Sequence, residues 1–375
     1  MKGLVVTSKG IEETAAIEIK ELINCNCKIE EGCVVFDFKE FKELCLLCYK
    51  CQSVDRVLYL IGNFEFRNFF EEFEMFINKL DLGKWTKKYK KFKVECIREG
   101  VHDFKSIDIE AKTAGFIIKK SNNKIKLSIK EYEIIFFVYV FDDRCYFGID
   151  FAGFEMNKRG YKIFLHQNSL RGTIAYALIR ESGFEKKGVV LDPFSRDGVI
   201  VIEAAFYAND FPYNYFKKEK FAFLKLDLGI DYERFFNDAD KKIKSGKPQI
   251  YGYDHLFKYV DYSRKNAKIA GVEKIINFSR VELEWLDIKF KKESVDRIVT
   301  NPPTSKNANL DKVYNEFFYQ SEYILKKDGA IAVISRIPDF VKKHAEKHNF
   351  AVAKEKDVWS GEQLLKILVF KKKNI

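Results

Sequence analysis

The sequence predicts an α/β protein with a doubly wound domain in its C-terminal half and smaller α+β units before it. From residue 170 onward, short apolar strands alternate with helical stretches, which is typical of a mainly parallel sheet covered by helices. The chain has 375 residues, more than one hydrophobic core usually organises, so two or three domains are expected.

The predicted elements follow in order along the chain. In a first unit, residues 1–65, apolar spacing predicts strands over 4–7, 34–38 and 56–61 and helices over 10–22 and 41–49. In a second unit, residues 66–155, it predicts helices over 70–80 and 107–118 and strands over 92–97, 134–141 and 144–150. The polar residues 156–169 are interpreted as a linker. In the C-terminal domain, residues 170–375, the predicted strands are 189–191, 249–253, 297–300 and 330–335.

The composition favours a polyanionic partner. The formal net charge is +11, which suits RNA, DNA or an acidic surface. No segment approaches the roughly 20 apolar residues of a membrane span, and the N-terminus lacks the apolar core of a signal peptide. The protein is therefore expected to be cytoplasmic and without membrane contact, with its eight cysteines as reduced thiols.

Two strand ends in the C-terminal domain carry acidic residues. In VVLDPFSRDGVIVIEAA, residues 189–205, the strand ends in Asp192, the loop ends at Gly198 and the helix carries Glu203. In an open α/β sheet, the loop after the first strand is where a nucleotide-like ligand meets a helix N-terminus. Further on, Asp254 ends another strand, where a carboxylate can accept both ribose hydroxyls of an adenosyl group. The alternative is a generic α/β enzyme with aspartates at its strand ends.

The sharpest short motif is Asn301-Pro302-Pro303, directly after the predicted strand RIVT. A strand that ends this way points the asparagine out of the carboxyl edge of the sheet, and the prolines fix the backbone around it. An amide oxygen and a carbonyl can together hold the two hydrogens of an exocyclic amine and aim its lone pair. The alternative is a rigid turn that closes the strand.

These motifs resemble, in the same order, those of the amino-methyltransferase family of Rossmann-fold enzymes. Lys158-Arg159-Gly160-Tyr161 and the segment HQNSLRGTIAYAL, residues 166–178, resemble the linker of THUMP-domain RNA methyltransferases. Residues 98–106, REGVHDFKS, are similar to the THUMP signature R-x-G-x-H-x-F-x-S, and CYFGID, residues 145–150, to its last strand. The resemblance covers most of the chain and is nearest to tRNA or rRNA guanine-N2 methyltransferases.

The resemblance implies a Rossmann-type methyltransferase domain behind a THUMP module with a small ferredoxin-like unit at the N-terminus. It implies S-adenosylmethionine as cofactor, no metal, and the exocyclic N2 of a guanosine in structured RNA, most readily tRNA, as acceptor. Carried over residue by residue, Asp192 and Gly198 would line the methionine side, Asp254 would hold the ribose and Asp287 would contact the adenine amine. Asn301, with the Pro302 carbonyl and Pro303 behind it, would orient the target amine.

Two positions depart from the family pattern. Arg196 stands where the family loop has its first glycine, a place where the backbone normally approaches the cofactor. Thr304 stands where an aromatic residue usually stacks on the target base, and Phe194 or Tyr314 are candidate substitutes. A catalytically silent RNA-binding paralogue is therefore the alternative function. A DNA amino-methyltransferase is disfavoured by the THUMP-like segment.

Residues 84–93, KWTKKYKKFK, interleave lysines with aromatic residues, which suits a phosphate backbone with exposed bases. We expect an RNA contact there through the residues Lys87, Lys88, Lys90, Lys91, Arg98 and His102. The alternatives are a solvated charged face for the lysines and a structural role for His102. The spacing of Cys45, Cys48 and Cys51 permits an iron–sulfur site, but buried thiols on one side of a helix are the favoured interpretation. A monomer is expected.

Overall fold

A computed structural model describes residues 1–244, 246, 249–305 and 309–373. It divides into two compact units. The first unit consists of residues 1–7, 15–156 and 214–239, and the second consists of residues 8–14, 157–213 and 240–375. In the part of the chain that is described, no helix is long and apolar enough to cross a membrane.

The helices and strands are numbered in chain order. Up to residue 150 they are β1 Lys2–Val6, α1 Glu12–Ile23, β2 Cys27–Glu30, β3 Cys33–Asp37, α2 Phe41–Lys50, β4 Arg56–Glu65, α3 Phe69–Lys79, α4 Gly83–Thr86, β5 Lys91–Glu99, α5 Ser106–Lys120, β6 Lys126–Leu127, β7 Ile134–Phe141 and β8 Arg144–Asp150. Beyond it they are α6 Gly172–Glu181, β9 Val189–Asp192, α7 Val199–Ala208, α8 Tyr232–Asp240, β10 Gln249–Asp254, α9 Phe257–Ala270, β11 Ile276–Arg280, α10 Leu286–Lys289, β12 Val295–Thr300, α11 Leu310–Ile324, β13 Leu325–Ser335, α12 Pro338–Lys347, β14 Phe350–Ser360 and β15 Gln363–Lys372.

The first unit is built on one eight-stranded sheet in the order β2-β3-β1-β4-β8-β7-β5-β6. Strand β4 joins its two halves, because it pairs antiparallel with β1 on one side and with β8 on the other. The predicted boundary between residues 65 and 66 therefore falls at the end of a strand inside a continuous sheet. All eight residues of β7 are buried, as expected for a strand covered on both faces.

Residues 214–239 fold with this first unit, whereas their position in the sequence predicted a place in the C-terminal domain. The reason is a cluster of aromatic rings. Phe221 and Phe223 stack with ring centroids 4.8 Å apart, and Phe236 of α8 packs edge-on against Tyr49 of α2 at 5.0 Å. Burial of such large rings stabilises the association and is not visible as a local sequence pattern.

The second unit contains a seven-stranded sheet in the order β11-β10-β9-β12-β13-β15-β14. The strands from β11 to β13 are parallel, while β15 is antiparallel to both β13 and β14. The predicted doubly wound sheet is confirmed, although β11, β14 and β15 had not been predicted. The chain order reverses between β9 and β12, and ligands bind outside the carboxyl ends of strands at such a point.

Candidate active site at the carboxyl edge of the second sheet

A cavity of about 330 Å³ lies at the carboxyl ends of β9, β10 and β12, a volume within the range of small-molecule sites. Its walls come from the segment before α6, the loops after these strands, and α9 and α11. Among the lining residues are His166, Asn168, Pro193, Phe194, Arg196, Asp254, Tyr259, Glu282, Glu284, Pro303, Thr304, Lys312 and Glu316. A smaller cavity of about 10 Å³ shares Asn168, Phe194 and Arg196 with it and is also lined by Asp192 and Asn301.

Asp192 is buried at the end of β9. Its Oδ1 atom accepts a hydrogen bond from Thr300 Oγ1 at 2.6 Å and another from the Phe194 amide at 3.1 Å. No donor among the described residues reaches its Oδ2 atom. Because burial disfavours the charged carboxylate, the pKa of Asp192 is raised to about 7. This carboxylate therefore has one oxygen fixed by the protein and one left for a ligand.

The loop between β9 and α7 turns through two left-handed residues, Arg196 with φ 51° and Gly198 with φ 81°. A Cβ atom at Gly198 would lie 3.0 Å from the Cα and Cβ atoms of Ser263, so this position requires glycine. The Arg196 amide donates to Asp254 Oδ2 at 3.1 Å, and its carbonyl accepts from Ser263 Oγ at 3.0 Å. These two hydrogen bonds fix the conformation of the loop beside the cavity.

Asp254 is buried at the end of β10. Its two carboxylate oxygens each accept one backbone amide, Oδ1 from Leu256 at 3.0 Å and Oδ2 from Arg196 at 3.1 Å. Burial raises the pKa of Asp254, and the two amide donors act in the opposite direction. A carboxylate oriented in this way and lining the cavity keeps lone pairs for further donors.

Asn301 follows β12. Its side-chain nitrogen Nδ2 donates to the Asn168 carbonyl at 3.1 Å, which fixes the orientation of the amide. No donor in the described parts of the chain reaches its oxygen Oδ1. The Pro303 carbonyl accepts from the Tyr314 hydroxyl at 3.1 Å. The strand end thus presents an oriented amide oxygen next to Asp192 and Arg196.

Asp287 is not among the residues that line the main cavity. It lies on α10, its amide donates to Gln320 Oε1 at 3.1 Å, and it lines a separate depression. Glu282 and Glu284 line the main cavity instead. These two glutamates come shortly after the end of β11, closer to it than Asp287 does. Because β11 was not predicted, its strand end could not be used to find them.

The proposed substitutes for the missing aromatic at Thr304 differ in position. Tyr314 is fully buried, with its ring against Phe340 at 5.3 Å, so the expectation that it could stack on a base is wrong. Phe194 lines the cavity and is 9% exposed. Tyr259 and His166 also line it, with their rings packed edge-on at 4.9 Å, and neither had been singled out as a stacking residue.

The lysine-rich segment of the first unit differs from its prediction in one respect. Lys87, Lys88, Lys90 and Lys91 are exposed, as expected for a phosphate contact. The interleaved aromatic residues, Trp85, Tyr89 and Phe92, are buried in the core, so the expected exposed stacking platform is absent from this segment. Lys88 pairs with Asp227 at 2.8 Å and Lys91 with Glu131 at 2.5 Å.

Arg98 and His102 hold a turn of the first unit together. Arg98 Nη1 donates to the Gly100 carbonyl at 3.1 Å and lies 2.9 Å from His102 Nδ1. His102 Nε2 lies 2.6 Å from the Asp142 carbonyl, an acceptor, so the hydrogen of this contact is on Nε2. The geometry supports the structural interpretation of His102, and an RNA contact by either residue stays a prediction.

Cys45, Cys48 and Cys51 are all buried in the first unit. The Cys51 thiol donates to Glu18 Oε2 at 3.1 Å, and burial raises the pKa of all three thiols. Among the residues that the structure describes, no group of three or more metal-ligating side chains is assembled. The favoured interpretation of these cysteines as small buried side chains agrees with this packing.

A doubly wound sheet, with carboxylates ending two neighbouring strands and Asn-Pro-Pro ending a third, defines a Rossmann-type methyltransferase domain. The chain belongs to the family described as RMKL-like methyltransferase domain, whose model matches residues 159–366. A second model, the THUMP domain, matches residues 67–150. The predictions of a THUMP module, of a methyltransferase and of S-adenosylmethionine as its cofactor are confirmed.

Similar proteins carry related names. The chain is 29% identical to a tRNA (guanine(6)-N2)-methyltransferase of Methanocaldococcus jannaschii, over 98% of this chain and 99% of the relative. It is 25% identical to a tRNA (guanine(6)-N2)-methyltransferase of Archaeoglobus fulgidus, over 98% and 93%. A solved putative methyltransferase in complex with SAH superposes with a TM-score of 0.82 at 21% identity and covers 100% of this chain and 98% of that one.

Proposed function

We propose that the chain transfers a methyl group from S-adenosylmethionine to the exocyclic N2 of a guanosine in tRNA. The observation that carries this proposal is the oriented amide of Asn301, beside the carboxylates of Asp192 and Asp254 at one sheet edge. The names of the two archaeal relatives support tRNA as the substrate and guanosine 6 as the nucleotide. A tRNA substrate also agrees with the cytoplasmic location that the sequence predicts.

The side chains at this edge fit the cofactor by their chemistry. Asp254, held by two backbone amides, would accept the ribose hydroxyls, as strand-end acids do for adenosyl groups. Asp192, with Oδ2 left open, would accept the cofactor's ammonium group. The close approach of Gly198 to Ser263 keeps the loop compact at the start of α7. When bound, S-adenosylmethionine supplies a methyl group activated by a sulfonium.

Asn301 would position the acceptor. Because its Nδ2 atom is held by the Asn168 carbonyl, its Oδ1 atom has a fixed direction and can accept a hydrogen from the target amine. The Pro302 carbonyl would accept the second hydrogen, so that the nitrogen lone pair points along a defined line. Such placement turns the nitrogen lone pair, which guanine otherwise delocalises into its ring, towards the methyl group. The new N–C bond forms as the S–C bond breaks, and the methylated nitrogen then releases one proton to solvent. The interaction strengthens as the nitrogen gains positive charge.

The first unit would bind the RNA. A guanosine in a paired stem must leave the helix before its N2 can enter an enclosed site, so the protein needs contacts outside the cavity. The exposed lysines Lys87, Lys88, Lys90 and Lys91 would supply phosphate contacts, with Arg98 and His102 shaping the adjacent turn. A monomer remains the expected form.

A second candidate is the catalytically silent RNA-binding paralogue. The observation that favours it is Arg196, a buried cation in a left-handed conformation at a place where the family has glycine. If its guanidinium obstructed the cofactor, the chain would retain the architecture without the reaction.

Product analysis separates the two candidates. The full chain is incubated with tritiated S-adenosylmethionine and unmodified tRNA transcripts that carry either guanosine or adenosine at position 6. The proposal predicts N2-methylguanosine only from the first transcript, identified by nucleoside mass spectrometry. N2-methylguanosine from both transcripts would keep the amine chemistry and exclude position 6. A 5-methylcytidine or ribose-methylated product would overturn the amine-directed chemistry. Absence of product together with tRNA binding would favour the silent paralogue.

A further inference from the structure

Arg196 carries a buried guanidinium that forms no close ion pair with the described residues, although the charges of Asp192, Asp254 and Asp197 act on it from further away. The residue is 8% exposed and lines both cavities at the sheet edge. Within the described parts of the chain its one side-chain hydrogen bond runs from Nη1 to the Asn168 carbonyl and is long, at 3.4 Å. Among the described residues, no carboxylate oxygen lies within the 4.0 Å of an ion pair. A buried charge in this state is costly unless a ligand completes its hydrogen bonds.

The backbone at this position does not account for an arginine. A φ of 51° favours glycine, so a side chain at this position strains the backbone. The conformation is nevertheless held firmly, since the Arg196 amide and carbonyl bind Asp254 and Ser263. What the arginine adds over glycine is therefore its guanidinium in the cavity wall, and five N–H donors require an acceptor of matching geometry.

The surroundings define the acceptor. Asp192 lines the same small cavity as Arg196, and its Oδ2 atom accepts no hydrogen bond from the described residues. The small cavity, at about 10 Å³, holds no more than a water molecule, but Arg196 also lines the main cavity of about 330 Å³. A cationic and an anionic side chain where the two cavities adjoin match a zwitterion whose body lies in the main cavity. Of the ligands that the proposed function requires, only the amino-acid end of the cofactor is a zwitterion.

We propose that Arg196 binds the α-carboxylate of S-adenosylmethionine while Asp192 binds its α-ammonium group. This inference rests on the proposed function and gives Arg196 the role of a selectivity residue rather than an obstruction. A carboxylate accepts two parallel N–H bonds from a guanidinium, the strongest arrangement open to an arginine. An RNA phosphate is the less fitting partner, because its chain continues on both sides and could not enter a site where Arg196 is 8% exposed.

The test is a calorimetric comparison of two ligands and two proteins. The ligands are S-adenosylmethionine and its decarboxylated form, which keeps the ammonium and sulfonium but lacks the carboxylate. The proteins are the full wild-type chain and Arg196→Gln. In the wild-type protein, loss of the carboxylate is expected to weaken binding at least tenfold. In Arg196→Gln, S-adenosylmethionine should bind at least tenfold more weakly than in the wild type, and the two ligands should bind within a factor of three of each other.

Arg264→Gln is the matched control, because Arg264 makes one side-chain hydrogen bond of the same length, 3.4 Å to the Phe278 carbonyl, on an exposed face. It should bind both ligands as the wild type does.

Arg196→Gly, which restores the family residue and relieves the backbone, should also weaken the binding of S-adenosylmethionine. Tighter binding by Arg196→Gly would overturn the inference and show that the arginine obstructs the site. Equal wild-type affinity for both ligands would overturn it even if the variants failed to fold. A wild-type chain that bound neither ligand would overturn the proposed function, and this inference with it.

Discussion

Arg159 and Glu203 form a fully buried ion pair in the second unit, with Nε to Oε1 at 2.8 Å and Nη2 to Oε2 at 3.1 Å. The Tyr161 hydroxyl donates to the same Oε1 atom at 2.7 Å. Arg159 and Tyr161 belong to the Lys-Arg-Gly-Tyr motif, and Glu203 lies on α7 directly behind the cofactor loop. The pair therefore ties the linker motif to the helix on which the candidate site depends.

Removing one member of this pair should destabilise the protein strongly. Glu203→Gln leaves a buried guanidinium without its counter-charge, and such changes cost about 3–5 kcal/mol in the free energy of unfolding. Arg159→Met combined with Glu203→Leu removes both charges and should recover most of that loss. Urea denaturation followed by circular dichroism measures both. A Glu203→Gln variant as stable as the wild type would show that the pair does not hold the linker.

Cofactor affinity should rise with pH through the titration of Asp192. Burial raises the pKa of this carboxyl to about 7, so below pH 7 it is mostly protonated in the unliganded protein and cannot attract an ammonium group. Above pH 7 it is ionised and can do so. Calorimetry between pH 5.5 and pH 7.5, below the range in which an α-ammonium group loses its own proton, should show affinity increasing by up to about tenfold per pH unit below the pKa. In Asp192→Asn the affinity should be lower and flat over this range, whereas an unchanged slope would assign the titration to another group.

The sequence could predict those parts of the site that lie at strand ends. Asp192, Asp254 and Asn301 each end an apolar strand, and parallel strands bring such residues to one edge whatever the rest of the fold does. It could not predict which acid after β11 faces the cavity, because Glu282, Glu284 and Asp287 lie in a short irregular segment without a regular period.

Contacts between distant segments were equally hidden. The pairing of Lys88 with Asp227 depends on residues 214–239 folding against the first unit, which no local pattern indicates. The burial of Trp85, Tyr89 and Phe92 was obscured because the charged residues between them suggested an exposed strip. The positive φ of Arg196 could be anticipated only from the glycine that the family has there.

Asp254 and Asp287 should differ in their effect on cofactor binding. Asp254 lines the cavity and has both oxygens oriented by backbone amides, so Asp254→Asn should weaken S-adenosylmethionine at least tenfold, as expected for a lost charge-assisted contact of about 1.5–3 kcal/mol. Asp287→Asn makes the same chemical change outside the main cavity and should leave the affinity within a factor of two. Calorimetry of the two variants under one set of conditions measures this. An equal loss in both would return Asp287 to the adenine contact that the family resemblance implies.

The lysines of residues 84–93 should contribute unequally to RNA affinity. Lys88 and Lys91 already form side-chain ion pairs with Asp227 and Glu131, whereas the side chains of Lys87 and Lys90 form none with the described residues. Each lysine that neutralises a phosphate adds about 0.7–0.9 to the slope of log affinity against log salt concentration. Changing Lys87 and Lys90 to Gln should therefore flatten the slope more than changing Lys88 and Lys91 does. Filter binding of tRNA at several salt concentrations measures it, and a slope unchanged by all four substitutions would remove this segment from the RNA contact.

Single-turnover methyl transfer shows whether the Asn301 amide orients the acceptor amine. The wild-type chain and Asn301→Ala are each used in excess over tRNA, with tritiated S-adenosylmethionine as the methyl donor. The control is Asn277→Ala, because Asn277 is an exposed asparagine on β11. Loss of a contact that strengthens in the transition state should slow Asn301→Ala on the order of 100- to 1,000-fold while binding of cofactor and tRNA stays within a factor of three. Asn277→Ala should react at the wild-type rate. Transfer by Asn301→Ala at the wild-type rate would show that this amide does not orient the acceptor and would remove the Asn-Pro-Pro strand end from the mechanism.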